Sequence, residues 1–79
     1  MDRNEILQRL TLIMRTVFKD DNLCVSEETE LQSIEAWDSL LNMQLLVSIE
    51  KEFGFRFKLS ELGRLTSVVN IIDIISAKL

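Results

Sequence analysis

The sequence lacks histidine, proline and tyrosine and has a single cysteine, Cys24, among its 79 residues. Histidine is the usual base for a nucleophilic serine, so its absence argues against a serine hydrolase. One cysteine cannot form an internal disulfide, and without histidine or a second cysteine the ligand set of a zinc site is missing. We expect no catalytic residue and no bound metal, and we expect Cys24 to be a small buried hydrophobic residue.

Long apolar runs are also absent, and the chain is short. No stretch approaches the roughly 20 apolar residues that a membrane-spanning helix needs, and Met1 to Leu10 lacks the apolar run of a signal peptide. These two absences predict a cytoplasmic protein without a membrane span. A chain of 79 residues has room for one thin core and none for an enclosed active-site cleft, so we expect a single monomeric domain, residues 1–79, that is not an ordinary enzyme.

Acidic residues are concentrated in one segment of the chain. Residues 20–38 contain seven acidic residues and no base, whereas residues 1–19 have a net charge of +2 and residues 39–79 a net charge of +1. A nucleic-acid binder needs clustered Lys and Arg side chains, so this layout argues against nucleic acid as a partner. It predicts a basic protein partner instead.

A first helix is predicted from about Arg3 to Lys19. Apolar residues recur along this stretch at helical spacing, and Asp2 with Glu5 three residues later has the pattern of a capping box. The periodicity then stops, and turn-prone, acidic residues predict a long loop over residues 20–37. Its scattered apolar side chains are expected to hold it on the core: Leu23, Val25, Leu31, Ile34 and Trp37. Loops of this length in compact domains are more often functional than idle.

A second helix is predicted from Ser39 to about Phe53, with Asp38 as its N-cap and Gly54 at its end. At 100° per residue, one arc of this helix must face the core, and that arc contains Leu41, Leu45, Leu46, Ile49 and Phe53. A different arc, on the side where Ser39 begins, contains Leu40, Met43 and Val47. Three apolar residues directed to solvent predict a docking surface; the alternative is that they are scattered surface residues.

The remainder of the chain predicts two more helices and no sheet. Residues 55–58 alternate briefly like a strand, but without a second strand we expect an extended loop. Residues 60–64 are expected to form one short helical turn. Thr66 is predicted to cap a last helix, in which pairs of β-branched residues recur every three positions. The predicted fold class is therefore all-α: a small four-helix bundle with three main helices, one short helix and a long loop between the first and second helices.

Ser39 stands at the corner where the acidic loop gives way to the second helix. The tripeptide Asp-Ser-Leu is by itself a weak signal, because an aspartate before a helix is most often only a cap. A phosphate ester at the first position of a helix, however, meets unpaired N–H groups and the positive end of the helix dipole. Without a histidine base, Ser39 is better suited to be the target of another enzyme than a nucleophile of its own.

Nearly the whole chain resembles the acyl carrier protein family. The resemblance rests on the first helix, the acidic loop with Glu28–Leu31, the Asp38-Ser39-Leu40 motif, the Ile49–Gly54 helix end, the short third helix and Thr66–Val68 at the start of the fourth. It implies that Ser39, within the motif completed by Asp38 and Leu40, receives 4′-phosphopantetheine from coenzyme A through a phosphopantetheinyl transferase that uses Mg²⁺. The thiol of that arm, and not Cys24, would carry acyl groups as thioesters between acyl-loading and acyl-transfer enzymes.

The acidic loop and the apolar arc of the second helix predict a partner surface, and the resemblance implies an acyl pocket. The expected partner-binding residues are Glu30, Glu35, Leu40, Met43, Gln44 and Val47. In the family the acyl chain can fold into the gap between the second and third helices, where the expected pocket residues are Asn42, Leu45, Leu46, Ile49 and Leu62. Because a buried amide needs a partner, we expect Asn42 to bond to a backbone carbonyl or water of residues 55–62. A sharper hypothesis is that Asn42 meets a polar group of a short acyl cargo.

The sequence departs from the fatty-acid carriers of the family in its second helix. Leu41, Gln44 and Lys51 stand at positions that are often acidic there. Together with Trp37 before the motif and the aromatic segment 53–57, this favours a free-standing carrier of a specialised polyketide, hybrid peptide or surface-polysaccharide pathway. Two alternatives stay open: a peptidyl or aminoacyl carrier loaded by an adenylating enzyme, and a helical interaction module that never receives an arm.

Overall fold

A computed structural model describes residues 1–79. The chain forms four α-helices: α1 at Arg3–Phe18, α2 at Ser39–Phe53, α3 at Leu59–Leu62 and α4 at Val68–Lys78. A 3₁₀ turn, Leu31–Ser33, interrupts the long loop between α1 and α2. The predicted all-α bundle of three main helices and one short helix is therefore confirmed. None of these helices has the length and apolar character needed to cross a membrane.

α1 begins at Arg3 as predicted, but its cap and its last residue differ from the prediction in detail. Asp2 accepts a hydrogen bond from the Glu5 N–H at 2.8 Å, which caps the helix. The Glu5 carboxylate lies 3.6 Å from the Arg9 guanidinium, one helical turn further along α1. The helix ends at Phe18, one residue earlier than predicted, because Lys19 adopts the left-handed conformation with φ of 55°.

One contiguous core holds the helices together. Fifteen buried hydrophobic side chains from α1, α2, α4 and the segments between them form this core, and α1 packs against both α2 and α4. The inward arc predicted for α2 is confirmed: Leu45, Leu46 and Ile49 are buried, and Leu41 and Phe53 are half-buried beside them. Burial of each of these aliphatic side chains stabilises the folded state by roughly 1.5–3 kcal/mol. The packing therefore fixes which side of α2 faces the core and which side faces solvent.

The α1–α2 loop is fixed by side chains and by backbone bonds. The predicted anchors pack on the core, with two of them buried and three half-buried: Leu31, Ile34, Leu23, Val25 and Trp37. Three backbone hydrogen bonds of 2.9–3.0 Å also join the loop to the chain around the start of α4. Two of these bonds satisfy N–H groups in the first turn of α4, which have no partner within their own helix.

Arg3 joins three parts of the fold. Its guanidinium pairs with Glu27 of the loop at 2.6 Å and with Asp73 of α4 at 2.8 Å. The hydrogen bonds to Glu27 and then to Asp73 raise the pKa of Arg3 above its ordinary value. Because Arg3 begins α1, this cluster holds the loop against both terminal helices.

The prediction of a buried Cys24 is wrong, because the side chain is exposed. Its neighbours Leu23 and Val25 pack against the core, and residues 23–26 form neither helix nor strand. Since Leu23 and Val25 occupy the inward positions, Cys24 faces solvent.

The N-cap of α4 is Ser67 and not Thr66. The Thr66 carbonyl accepts the Leu31 N–H at 3.0 Å, so Thr66 belongs to the contact with the loop. Ser67 then takes the cap position, and its hydroxyl bonds to Asn70 Oδ1 at 2.8 Å.

α3 is a single turn that begins one residue before the predicted segment and ends two residues before its end. Residues 55–58 have neither helix nor strand, as predicted for an extended loop. Glu50 of α2 fixes this loop, since its Oε2 atom accepts the Phe57 N–H at 2.8 Å. Glu61 of α3 accepts the Lys58 N–H at 2.7 Å and pairs with Lys78 of α4 at 3.1 Å.

Candidate functional site

Ser39 is the first residue of α2, and its side chain is exposed. The backbone of Asp38 is extended, with φ of −150° and ψ of 176°, so the chain turns into the helix at this point. Asp38 Oδ1 accepts the Leu41 N–H at 2.8 Å, and the Asp38 carbonyl accepts the Asn42 N–H at 2.9 Å. These bonds fix the first turn of α2 and leave the Ser39 hydroxyl open to solvent.

Two backbone donors at this corner are free. The N–H groups of Ser39 and Leu40 donate to no acceptor in the chain, because no helical residue precedes them to supply a carbonyl. The carboxylate of Asp38 does not compete for them, since it is bonded to Leu41. A phosphate on Ser39 would therefore lie beside two free donors and the positive end of the α2 dipole, so the site suits a phosphate ester.

A side-chain hydrogen bond closes the corner around Ser39. Trp37 Nε1 donates to Asn42 Oδ1 at 3.3 Å, and both residues are half-buried. The partner expected for Asn42, in residues 55–62, is therefore wrong. The indole N–H of Trp37 needs an acceptor where the ring is packed on the core, and Asn42 provides it. Since these residues lie on either side of Ser39, their bond ties the end of the loop to the first turn of α2.

An exposed apolar strip runs along α2 from the Ser39 corner. Its members are Leu40, Met43 and Val47, whose exposed fractions are 67%, 55% and 44%. The other predicted partner-binding residues are exposed as well: Gln44 on α2, and Glu30 and Glu35 on the loop. All six side chains are therefore accessible to solvent, and their role in partner binding stays a prediction.

The expected acyl-pocket residues are mostly part of the core. Leu45 and Ile49 are fully buried, and Leu46 is 5% exposed. Asn42 is half-buried, whereas Leu62 lies at the surface. An acyl chain would enter between α2 and α3 only by displacing these packed side chains, so the acyl pocket stays a prediction.

Two basic residues beside the apolar strip have no obvious signal in the sequence. Lys19, at the end of α1, lines a groove together with Met43 and Val47. Arg56, beyond the end of α2, lines a second groove with Val47 and Lys51. The position of Lys51 beside the strip is predictable from the sequence, because Lys51 follows Val47 by four residues on the same face of the helix.

Comparisons with known proteins agree with this geometry. Residues 8–75 match the protein family described as the phosphopantetheine attachment site. An acyl carrier protein of Coprothermobacter proteolyticus is 30% identical over 79 residues, which cover all of this chain and 96% of that protein. Acyl carrier protein 2, mitochondrial, of Arabidopsis thaliana is 25% identical over 77 residues, which cover 98% of this chain and 61% of the relative.

The fold is also similar to that of a solved structure. The solution NMR structure of the holo acyl carrier protein from Geobacter metallireducens superposes with a TM-score of 0.83 and 42% sequence identity. The superposition covers 91% of this chain and 83% of the other. The chain therefore belongs to the acyl carrier protein family, whose cofactor is a covalently attached phosphopantetheine.

Proposed function

We propose that Ser39 carries the 4′-phosphopantetheine arm and that the chain delivers acyl groups, held as thioesters on this arm, to partner enzymes. The observation that supports this most is the position of Ser39: an exposed hydroxyl, at the first residue of α2, within the Asp-Ser-Leu motif and the matched residues 8–75. In the transfer, the Ser39 oxygen bonds to phosphorus, adenosine 3′,5′-bisphosphate leaves coenzyme A, and the hydroxyl proton passes to the phosphopantetheinyl transferase.

Other serines fit this role less well. Ser60 is exposed and lies near the start of α3, but that helix has one turn and no aspartate before it. Ser67 caps α4 but is only 7% exposed and bonded to Asn70. Ser39 alone combines exposure with a long helix behind it and a capping aspartate before it.

The chain itself acts as a carrier and not as a catalyst in this proposal. Asp38 holds the first turn, and the Trp37–Asn42 bond holds the loop, so their role is to present Ser39 in a fixed position. No histidine is present to take the serine proton. Residues 1–79 would work as one carrier domain, and the bond-forming steps would belong to the transferase and to the acyl-loading and acyl-transfer enzymes.

The proposed pathway lies outside routine fatty-acid synthesis. α2 has no charged residue from Ser39 to Ile49, and its charged residues, Glu50, Lys51 and Glu52, all lie in its last turn. Fatty-acid carriers of the family often have acidic residues at the positions of Leu41, Gln44 and Lys51. This difference supports a specialised polyketide, hybrid peptide or surface-polysaccharide pathway. An aminoacyl carrier would have the same fold and serine, and it would be recognised by ATP-dependent loading of an amino acid by an adenylating enzyme.

A thioester-loading experiment tests the carrier function. A broad-specificity phosphopantetheinyl transferase, given octanoyl-coenzyme A, should add one octanoyl-phosphopantetheine group to the chain. Neutral hydroxylamine should then remove the octanoyl group and leave the arm, because it cleaves thioesters and not the phosphate ester. Intact-mass spectrometry follows both steps. A chain that gains no mass would be the unmodified helical module and would contradict the proposal.

A further inference from the structure

We propose that the docking face of α2 binds a partner enzyme through charges of both signs. Basic groups of the partner contact the acidic Ser39 end of the face, and carboxylates of the partner contact its basic Val47 end. The docking face is the apolar strip together with the two grooves beside Val47. This inference rests on the proposed function, because the partner is an enzyme that acts on the acyl group carried at Ser39. It goes further by assigning the partner a surface that is basic at one end, apolar in the middle and acidic at the other end.

The basic end of the docking face continues the apolar strip directly. Successive residues of a helix are 100° apart, so Val47 and Lys51 differ by only 40° and share one side of α2 with Met43. Lys51 and Arg56 then line a groove of about 480 Å³ with Val47. A partner that covers Val47 must therefore also contact or approach these two cations.

Lys19 adds a third cation from a different helix. It ends α1 in the left-handed conformation, and it lines a groove of about 470 Å³ between α1 and α2 with Met43 and Val47. The two grooves share Val47 as a common wall. Because α1 runs antiparallel to α2, with Arg9 beside Glu52, Lys19 lies toward the Met43 side of this groove, and Lys51 and Arg56 are the cations of the Val47 end.

These three cations have no partner within the chain. Lys19, Lys51 and Arg56 are exposed and form no ion pair. Three other bases of the chain are paired with carboxylates: Arg3, Arg9 and Lys78. The charges beside Val47 are thus available to an approaching protein.

Acidic residues near this end do not cancel the positive charge. Glu50 lines the same groove, but it is half-buried and its carboxylate accepts the Phe57 N–H. Glu52 pairs with Arg9 of α1 at 3.4 Å. The groove at the Val47 end is therefore lined by two cations, Lys51 and Arg56, and by one carboxylate, Glu50, so its net charge is positive.

The Ser39 end has the opposite charge. Asp38 directly precedes Ser39, Glu35 precedes it by four positions without forming an ion pair, and residues 20–38 contain no base. Ser39 and Lys51 are separated by twelve positions, about 18 Å along the helix axis. The Debye length at physiological salt is about 8 Å, so the two ends act on a partner as separate charges.

A protein matches this pattern better than a lipid surface does. An anionic membrane would attract the Val47 end, but it would repel the acidic loop and a chain whose net charge is −4. A partner protein can place carboxylates and basic side chains at different points of one interface. The charge pattern also fixes the orientation, because a partner docked the other way round would place like charges together.

The test uses charge reversal at Lys51 and Arg56, with Arg64→Glu as the matched control. Arg64 is exposed and unpaired, and it lines neither groove. Each variant is first loaded with octanoyl-phosphopantetheine by the broad-specificity transferase, and its helix content is checked by circular dichroism. It is then used as substrate for an acyl-transfer enzyme from the same organism that accepts the unaltered thioester.

We expect Lys51→Glu and Arg56→Glu to raise KM by about three- to tenfold with little change in kcat, and Arg64→Glu to change neither. Added salt should reduce the difference between the variants and the unaltered chain. A KM that is equal in Lys51→Glu and Arg64→Glu, or lower in Lys51→Glu, would overturn the inference. Binding of the unaltered loaded chain to phosphatidylglycerol vesicles, abolished by Lys51→Glu, would overturn it in favour of a lipid surface.

The loading step separates this inference from the proposed function. If the unaltered chain does not gain the arm, the proposed function fails, and the two-signed docking face fails with it. If loading proceeds normally in every variant while KM is insensitive to charge reversal, only the docking inference is overturned.

Discussion

At the scale of single residues, the position of Ser39 is fixed by hydrogen bonds of the residues on either side of it. The Asp38 carboxylate fixes the first turn of α2, and Trp37 bonds to Asn42 across the corner. No group of three or more His, Cys, Asp or Glu side chains in the chain comes together to hold a metal. The hydrogen bonds around Ser39 therefore fix its backbone and leave its hydroxyl accessible to another enzyme.

The cap at this corner has a measurable effect on stability. Asp38→Ala removes the acceptor of the Leu41 N–H and should lower the free energy of unfolding by about 1 kcal/mol. Asp38→Asn retains a side-chain oxygen and should stay close to the unaltered protein. Urea denaturation followed by circular dichroism measures both. An equal loss in the two variants would show that capping is not the cause. We also expect Asp38→Ala to slow transfer of the arm.

The Trp37–Asn42 bond can be tested by fluorescence, because Trp37 is the single tryptophan of the chain. Asn42→Leu removes the acceptor of the indole N–H and should cost about 1 kcal/mol of stability. The tryptophan emission should shift to longer wavelength, and acrylamide should quench it more strongly, as the ring loosens from the corner. Asn42→Asp keeps an oxygen acceptor and is the control. Unchanged emission and quenching in Asn42→Leu would contradict the role of this bond.

At the scale of elements, the sequence predicted what depends on local signals. Asp38 and Gly54 bound α2 because capping and left-handed termination are properties of single positions, and the helix has the limits that they predict. The faces of α2 follow from the 100° spacing of its residues in the same way. Local patterns therefore sufficed for α2 and for the exposure of Ser39, whereas the end of α1, the limits of α3 and the N-cap of α4 differ from the prediction by one or two residues.

Contacts between distant segments were not predictable from such patterns. The bond from the Leu31 N–H to the Thr66 carbonyl, and the pairing of Arg3 with Glu27, join residues more than 20 positions apart. No periodicity indicates partners of this kind. The same applies to Asn42: its inward position follows from the helix, but its bond to Trp37 depends on the path of the loop.

Glu61 gives a prediction that concerns α3 and α4 together. Its pKa is lowered from the ordinary value of 4.5, first by the hydrogen bond from the Lys58 N–H and also by Lys78, against the effect of burial. A carboxyl group with a lowered folded pKa contributes stability that is present above its unfolded pKa and is lost as the pH falls through its folded pKa. Glu61 therefore contributes fully above about pH 4.5 and progressively less below it.

Glu61→Gln should remove this part of the pH dependence. The variant should be less stable than the unaltered protein above pH 4.5, and the difference should shrink as the pH falls below that value. Urea denaturation at pH values on both sides of 4.5 provides the measurement. Glu28→Gln, at an exposed residue without an ion pair, is the control. A difference that is constant with pH would contradict the role assigned to the Glu61 carboxylate.

At the scale of the whole molecule, we expect charge and apolar surface to have different roles in docking. The net charge of −4 arises from residues 20–38, which lead directly into α2. The apolar strip begins beside Ser39 and has the exposed area that a partner can bury. Long-range charge affects mainly the rate of association, whereas close apolar contact affects mainly the rate of dissociation.

Rate measurements distinguish these roles. For the loaded chain and an acyl-transfer enzyme, Glu35→Gln should slow association, Glu30→Gln should have the same effect, and added salt should weaken binding. Val47→Ala should mainly speed dissociation by severalfold. Leu12→Ala removes an exposed apolar side chain from α1 and should change neither rate. Association rates that are equal at low and high salt would contradict the electrostatic part.

The most direct test of the carrier assignment is to locate the arm on the chain. The unaltered protein, Ser39→Ala and Ser60→Ala are each incubated with coenzyme A and a broad-specificity phosphopantetheinyl transferase. Intact-mass measurement and fragmentation of the modified peptide then follow. We expect the unaltered protein and Ser60→Ala to gain one phosphopantetheine on Ser39, and Ser39→Ala to gain none while keeping its helical circular-dichroism spectrum. A folded Ser39→Ala variant that still gains the arm would contradict the central claim.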